Sequence, residues 1–363
     1  MRWPNGSKPP LDWEKLAELG QNFSQQMTQE FGLGFEAAAG ERLRGTADFG
    51  ANPGGLTMLS YAPENLPAGA PLVVELHGCG QSAAAYDRGA GWSALADRLG
   101  LVVLAPEQNR ANNPNACFHW FAPSNTRRGH GEVASIRNMV ARAIADYGCD
   151  PKRVFVTGLS AGGGMASALL AAYPEVFAGG AIIAGLPYGA ASTVQEALGV
   201  MRQPPELSRR AWGDLVRGAS KHRGPWPKVS VWHGDADFTV GVANADAILS
   251  QWGDVHGLAP APTSVQTIDG HPRQVWRNAE GEAVLESYII AGLGHGTPIS
   301  PGKGGVVGPF ILPAGISSSY RIAEFWGLAD GVAEVAAAPA VPRSVEGAQE
   351  AIQRAMRAAG LLK

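Results

Sequence analysis

The sequence predicts an α/β fold: a mostly parallel central sheet with helices on both faces. Three observations carry that prediction. Several short strands read as continuous apolar runs, as in "PLVVELHG" (71–78) and "KVSVWHG" (228–234), the pattern of strands buried on both faces rather than one. These runs alternate with segments of helical period. One of them, "RVFVTG" (153–158), stops at a lone serine crowded by glycines and is followed at once by an Ala/Leu/Met-rich stretch.

The elements follow in chain order. Leu11, Leu16, Leu19, Phe23 and Met27 fall roughly on one stripe and predict an amphipathic helix over 11–32. Residues 34–55 are a Gly/Ala-rich connection. "LTMLSY" (56–61), "PLVVELHG" and "LVVLAPE" (101–107) are early strands, with a helix over 85–99 between the last two. In 131–148, Val133, Ile136, Met139, Val140, Ala143 and Ile144 recur at helical spacing, and Gly148 terminates the helix. "GMASALLAAY" is the helix after the serine and ends before Pro174; "GAIIAG" (180–185) and "KVSVWHG" are further strands. Residues 263–290 alternate about "RNAEGE" in a hairpin-like pattern, and a helix near 317–327 closes the domain. Beyond it, an Ala/Pro linker (333–344) leads to a terminal helix with Val345, Ile352 and Met356 near one face, read as packing back on its own domain, with a dimer contact as the alternative. The expected organisation is a helical extension over 1–50, the α/β domain over 51–332 with 190–226 as a cap, and a linker with its helix over 333–363.

Composition narrows the function. A net charge of −3 over 363 residues leaves no electrostatic footprint for nucleic acid or an anionic membrane. No apolar run is long enough to span a bilayer. The N-terminus lacks an apolar leader core, which predicts a cytoplasmic protein, with a secreted or periplasmic one as the alternative if a leader is missing from this sequence. Three cysteines, Cys79, Cys117 and Cys149, are too few for a disulfide framework and too scattered for zinc, though one bridge with one thiol left over fits. The eight histidines show no ligand spacing, so neither metal nor cofactor is expected. A monomer and a homodimer are both compatible with the sequence.

Gly158-Leu159-Ser160-Ala161-Gly162 has the G-x-S-x-G spacing of a sharp strand-to-helix turn, which places Ser160 at the carboxyl edge of the sheet. The helix start aims the Ala161 N–H at the same spot, where it would bind a developing oxyanion. No G-K-[ST] follows, which argues against a phosphate loop. A lone serine is a poor nucleophile and needs a base and a group to orient that base. Both occur downstream, in the order serine, acid, histidine. In "VWHGDADFTV" (231–240) Asp235 and Asp237 compete; the spacing H-G-x-x-D-x-x-V selects Asp237 and leaves Asp235 to the turn or a supporting role. In "YIIAGLGHGTP" (288–298) His295 stands between Gly294 and Gly296 after a strand. Its rival His271 reads as a solvated turn residue, and His130, His222 and His256 as surface residues. In "ELHGCGQS" (75–82) the Cys79 amide is the second oxyanion donor, with Gly80 next, while His77 braces the loop.

"CFHWFAP" places Phe118, Trp120 and Phe121 in a loop after a strand, where Trp120 is the candidate wall of an acyl pocket; Leu186 and Tyr188 of "GLPYGAAS" line the opposite wall, and Gly80 and Gln81 complete the substrate contacts. A dedicated acidic cluster for a peptide amine is missing, which disfavours a peptidase. A non-catalytic binding protein on the same fold is the rival of another class, opposed by the intact set of three residues in the right order.

The motifs "LHGCGQ", "ACFHWF", "GLSAGGGMA", "GLPYGAA", "HGDADFTV" and "GLGHG", in that order, closely resemble the polyhydroxybutyrate-depolymerase-like esterases, an α/β-hydrolase group bordering the feruloyl and acetylxylan esterases. The likeness covers roughly 55–328. It implies the α/β-hydrolase fold, a Ser160–His295–Asp237 triad, an oxyanion hole from the Cys79 and Ala161 amides, and a cleft rimmed by aromatics. It implies a Cys79–Cys117 bridge as well. The activity implied is serine ester hydrolysis through an acyl-enzyme, on hydroxyalkanoate oligoesters or related aliphatic polyesters, with feruloyl or acetylxylan esters as the alternative. The chain departs from the family after the histidine, where "GTPISPGKGG" replaces the usual tryptophan.

Overall fold

Ten strands form one sheet, in the order β1-β2-β4-β3-β5-β6-β7-β10-β9-β8, in a computed structural model that describes residues 42–332 and Glu334. The strands are β1 Arg44–Thr46, β2 Thr57–Tyr61, β3 Leu72–Leu76, β4 Val102–Glu107, β5 Val154–Leu159, β6 Gly179–Ile183, β7 Lys228–Gly234, β8 Ser264–Ile268, β9 His271–Arg277 and β10 Ala283–Ile290. From β4 through β3, β5, β6 and β7 to β10 every neighbouring pair is parallel; the pairs β1–β2 and β2–β4 at one end and β10–β9 and β9–β8 at the other are antiparallel. The expected α/β-hydrolase architecture is therefore present. The helices predicted over 11–32 and after the Ala/Pro linker lie outside the described residues.

The unbroken apolar runs are explained by two cores. Leu72, Val74, Leu76, Val154, Val156 and Ile182 face α4 (Gly131–Tyr147), α5 (Ala161–Ala172) and α8 (Ala243–Val255) in one buried cluster. Their sequence neighbours Val73, Phe155 and Ile183, with Trp232 and Tyr288, face α1 (Ala83–Ala90), α2 (Trp92–Leu99) and α9 (Ser318–Phe325) in another. Successive residues on a strand point to opposite faces, so a sheet covered twice is mostly apolar on both, with Glu75, Thr157 and Ser230 as buried polar exceptions.

Several expectations need correction. The helix read over 85–99 is two helices, broken at Gly91, whose φ is +79° and whose Cβ, if it had one, would stand 2.5 Å from the Gly304 carbonyl oxygen. On one continuous helix Trp92, Leu95 and Leu99 would fall on the face opposite to Ala83, Tyr86 and Ala90, so the apolar stripe changes phase at the break. Part of the connection 34–55 is strand β1, an edge strand of three residues with no apolar run. Residues 263–290 hold two antiparallel pairings, but β10 also pairs in parallel with β7 and so belongs to the parallel core. His271 opens β9 half-buried with its Nε2 bonded to the Ala314 carbonyl at 2.7 Å, not in a solvated turn. Neither is His256 a surface residue, for it ends α8 with its Nε2 bonded to the Pro227 carbonyl at 3.0 Å. A second sheet of β11 (Thr297–Ile299) and β12 (Ile311–Pro313) is too short to leave a sequence signal.

Candidate active site

The chain reverses from β5 into α5 within one residue. Ser160 has φ +57° and ψ −117°, a conformation that L-residues keep only under constraint. The constraint is backbone packing. A Cβ on Gly162 would fall 2.3 Å from the Leu76 carbonyl oxygen, and one on Gly158 would fall 2.5 Å from the backbone of Gly162. The Ser160 N–H donates to the Ile183 carbonyl at 2.9 Å, and its own carbonyl accepts from Gly164 at 2.8 Å. The side chain is left at the edge of the sheet, 9% exposed.

Because β5, β6, β7 and β10 are adjacent and parallel, the loops that follow them leave from the same edge. Asp237 follows β7 and His295 follows β10. His295 Nδ1 donates to Asp237 Oδ2 at 2.7 Å. Asp237 Oδ1 accepts from the Thr239 and Val240 amides at 2.9 and 2.8 Å. Burial alone would raise this carboxyl, but the hydrogen bonds from His233 and His295 outweigh it and hold Asp237 below the ordinary carboxylate range. With Nδ1 bound to an acceptor, the Nε2 lone pair of His295 is free to take a proton. The serine hydroxyl is not hydrogen-bonded to the imidazole among the described residues; the fold bonds His295 to Asp237 and delivers Ser160 to the same edge.

Two supports sit behind this pair. Asp235 Oδ1 accepts from the Gly292 amide at 2.7 Å, tying the acid loop to the histidine loop. His233, treated in the sequence only as a spacing marker, is buried, donates from Nε2 to the Val240 carbonyl at 2.8 Å, and lies 3.5 Å from Asp237 Oδ2. Its place on a strand otherwise made of core residues was the available signal.

The start of the loop after β3 packs against the serine turn, where a Cβ on Gly162 would also meet the His77 carbonyl oxygen at 2.6 Å. His77 donates from Nδ1 to the Gly78 carbonyl at 2.8 Å and accepts at Nε2 from Gln108 N–H at 3.1 Å, and burial lowers its pKa, so it is a neutral brace. The Gly80 amide donates to the Asn115 carbonyl at 2.7 Å, which withdraws it from any oxyanion role. Among the described residues, the Cys79 and Ala161 amides donate to no protein acceptor. Gln81 uses its amide to hold the loop, accepting from Gly78 N–H at 2.8 Å and donating to the Pro309 carbonyl at 2.9 Å. Cys79 is bridged to Cys117, and Cys149 is free and buried. The loop carrying Cys117 and Trp120 is anchored by buried Glu132, which accepts from Gln108 Nε2 at 2.7 Å, His119 N at 2.8 Å and His119 Nδ1 at 2.6 Å. No motif flagged Glu132, because its partners lie in another segment.

The aromatic loop divides its side chains. Phe118 is in the main core, while Trp120 joins Ala161, Leu186 and Val240 in a small apolar cluster beside the serine. Within the stretch 190–226, α6 (Val194–Arg202) adds Ala197 and Val200 to that cluster, and Val216 of α7 (Arg209–Ala219) belongs to the main core. Tyr188 packs on the main core instead, its backbone exchanging two 3.0 Å hydrogen bonds with the Gln251 side chain. Among the described residues no helix is long and apolar enough to cross a membrane.

The family profile described as "Esterase PHB depolymerase" matches residues 59–272. Poly(3-hydroxyalkanoate) depolymerase C of Paucimonas lemoignei is 45% identical over 287 residues, covering 78% of this chain and 69% of that protein. An acetylxylan esterase of Coprinopsis cinerea is 36% identical over 69% of this chain and 68% of its own length. Feruloyl esterase B of Talaromyces funiculosus is 31% identical over 69% of this chain and 72% of its own length. Among solved structures, an acetyl xylan esterase from Aspergillus awamori superposes with a TM-score of 0.68 over 79% of this chain and 99% of that one at 24% identity, a likeness of fold.

Proposed function

Because this chain belongs to the esterase PHB depolymerase family, we propose that it hydrolyses hydroxyalkanoate oligoesters through an acyl-enzyme formed on Ser160. The single observation that carries the mechanism is the Asp237–His295 hydrogen bond at the edge of the sheet that also bears the strained serine. His295 Nε2 takes the Ser160 proton as Oγ attacks the ester carbonyl, and Asp237 stabilises the imidazolium that forms. The negative carbonyl oxygen is received by the Cys79 and Ala161 amides, each worth about 3–4 kcal/mol in comparable sites. As the bond to the alcohol oxygen breaks, His295 returns the proton to it. Water then attacks the acyl-enzyme by the same path in reverse. Trp120 and Leu186 supply the apolar wall for the acyl chain.

The Cys79–Cys117 bridge favours an oxidising compartment over the cytoplasm that the N-terminus suggested. The decisive test is labelling by an organophosphonate ester, read by peptide mass spectrometry. Uptake at Ser160 is expected; an unlabelled Ser160 would point to a binding protein instead. Assays on hydroxybutyrate oligomers, methyl ferulate and acetylated xylan then sort the substrate classes named by the relatives, with the oligomers expected fastest.

A further inference from the structure

One side chain beside the acid–base pair has a backbone conformation that its own bulk disfavours. Phe310 has φ +60°, in the left-handed region where a bulky residue signals constraint. Two hydrogen bonds and a strand pairing hold it there. Its carbonyl accepts from the Thr297 amide at 2.8 Å, the preceding Pro309 carbonyl accepts from Gln81 at 2.9 Å, and β12 begins at the next residue, paired in register with Thr297–Ile299. Core packing does not account for the ring, which stays 40% exposed. It meets the His295 imidazole edge-on, with centroids 5.9 Å apart and planes at 74°.

We propose that Phe310 is a specificity-determining residue that forms the alcohol-side wall of the ester cleft and favours esters of apolar alcohols. This rests on the hydrolase reading above. The imidazole that accepts the serine proton must pass it to the leaving alkoxide, so the leaving oxygen has to come within hydrogen-bond reach of Nε2. A ring edge-on to that imidazole would border the alcohol portion, which leaves Trp120 and Leu186, clustered with Ala161, to the acyl portion. Phe310 offers no polar partner, so an alkyl or aryl group gains by covering it and a sugar hydroxyl loses its water without compensation. Phe238, directly after Asp237 and 91% exposed, adds apolar surface on the acid loop. An alcohol portion that is itself the next unit of an aliphatic oligoester fits such a wall; a glycosyl alcohol does not.

The test compares wild type, Phe310→Gly and Phe310→Leu on butyrate esters of hexanol, benzyl alcohol and 2-methoxyethanol, which share one acyl group. Phe310→Gly is expected to lower the kcat/KM preference for hexyl and benzyl over methoxyethyl esters roughly tenfold, and Phe310→Leu to retain most of it. Glycine accepts a positive φ, so the Tm of Phe310→Gly is expected to match or exceed that of wild type, which a structural plug would not allow. Unchanged alcohol preference in both variants, with Ser160 still labelled by the phosphonate, overturns the role of Phe310 and leaves the hydrolase reading standing. Failure of wild type to take the label overturns both.

Discussion

Asp237 and His295 share a 2.7 Å hydrogen bond although their loops follow strands that are far apart along the chain and become neighbours only in the sheet. The carboxylate is satisfied on its other oxygen by two backbone amides, so it presents one acceptor in one direction. That direction sets the imidazole tautomer.

Replacing the acid by its amide tests the point. Asp237→Asn keeps the shape but offers an N–H where an acceptor is needed, so the imidazole is turned to the wrong tautomer. A loss of about 10³–10⁴-fold in kcat is expected, with the fold retained. Steady-state kinetics beside circular dichroism measures both; a loss under tenfold would remove Asp237 from the mechanism.

The disulfide bears on both stability and rate, because Cys79 contributes a sulfur to the bridge and an amide to the proposed oxyanion hole. Cys117→Ser frees a loop with its ends 38 residues apart, which on a chain-entropy basis forgoes up to about 4 kcal/mol. We expect a lower Tm and a kcat reduced roughly tenfold or more as the Cys79 amide loses its aim. Thermal denaturation and initial rates read the two effects separately.

The elbow glycines are predicted to be intolerant of a single methyl group. Gly162→Ala would drive a Cβ into the Leu76 and His77 carbonyl oxygens, at 2.3 and 2.6 Å. Destabilisation of about 2 kcal/mol or more is expected from such overpacking. A urea midpoint equal to that of wild type would show that the turn can open.

His256 makes acid stability testable. Burial lowers its pKa to about 4 from the ordinary 6.5, against the opposing hydrogen bond to Pro227. Between those values the unfolded chain binds a proton that the folded chain does not, so stability should fall as pH drops from 6.5 toward 4. His256→Gln removes that titration. The slope of Tm against pH in this window is expected to flatten, and an unchanged slope would assign the acid sensitivity elsewhere.

Local chemistry wrote much of this protein into its sequence. The runs at 71–78, 153–158 and 228–234 announce strands because a sheet covered on both faces is mostly apolar along both. Ser160 announces itself by the glycines two residues to either side, Asp237 by its H-G-x-x-D-x-x-V spacing after a strand, and His295 by the glycines that flank it. The break at Gly91 is marked only by a shift of the apolar face between Tyr86 and Trp92, and β11 and β12 left no mark since three residues carry no period. Their placement decides the role proposed for Phe310, which nothing nearby in sequence links to His295.

What the sequence determined alone is therefore the fold class, most of the sheet's central strands and the candidates for the reacting groups, all of which depend on neighbours along the chain. The tertiary structure decided which amides remain unpaired, with Gly80 engaged and Cys79 free. It also placed Trp120 against Ala161 while sending Tyr188 to the core, and set an aromatic ring on the imidazole. These are facts of strand order and loop closure, and they arise only when segments distant in the chain compete for the same space.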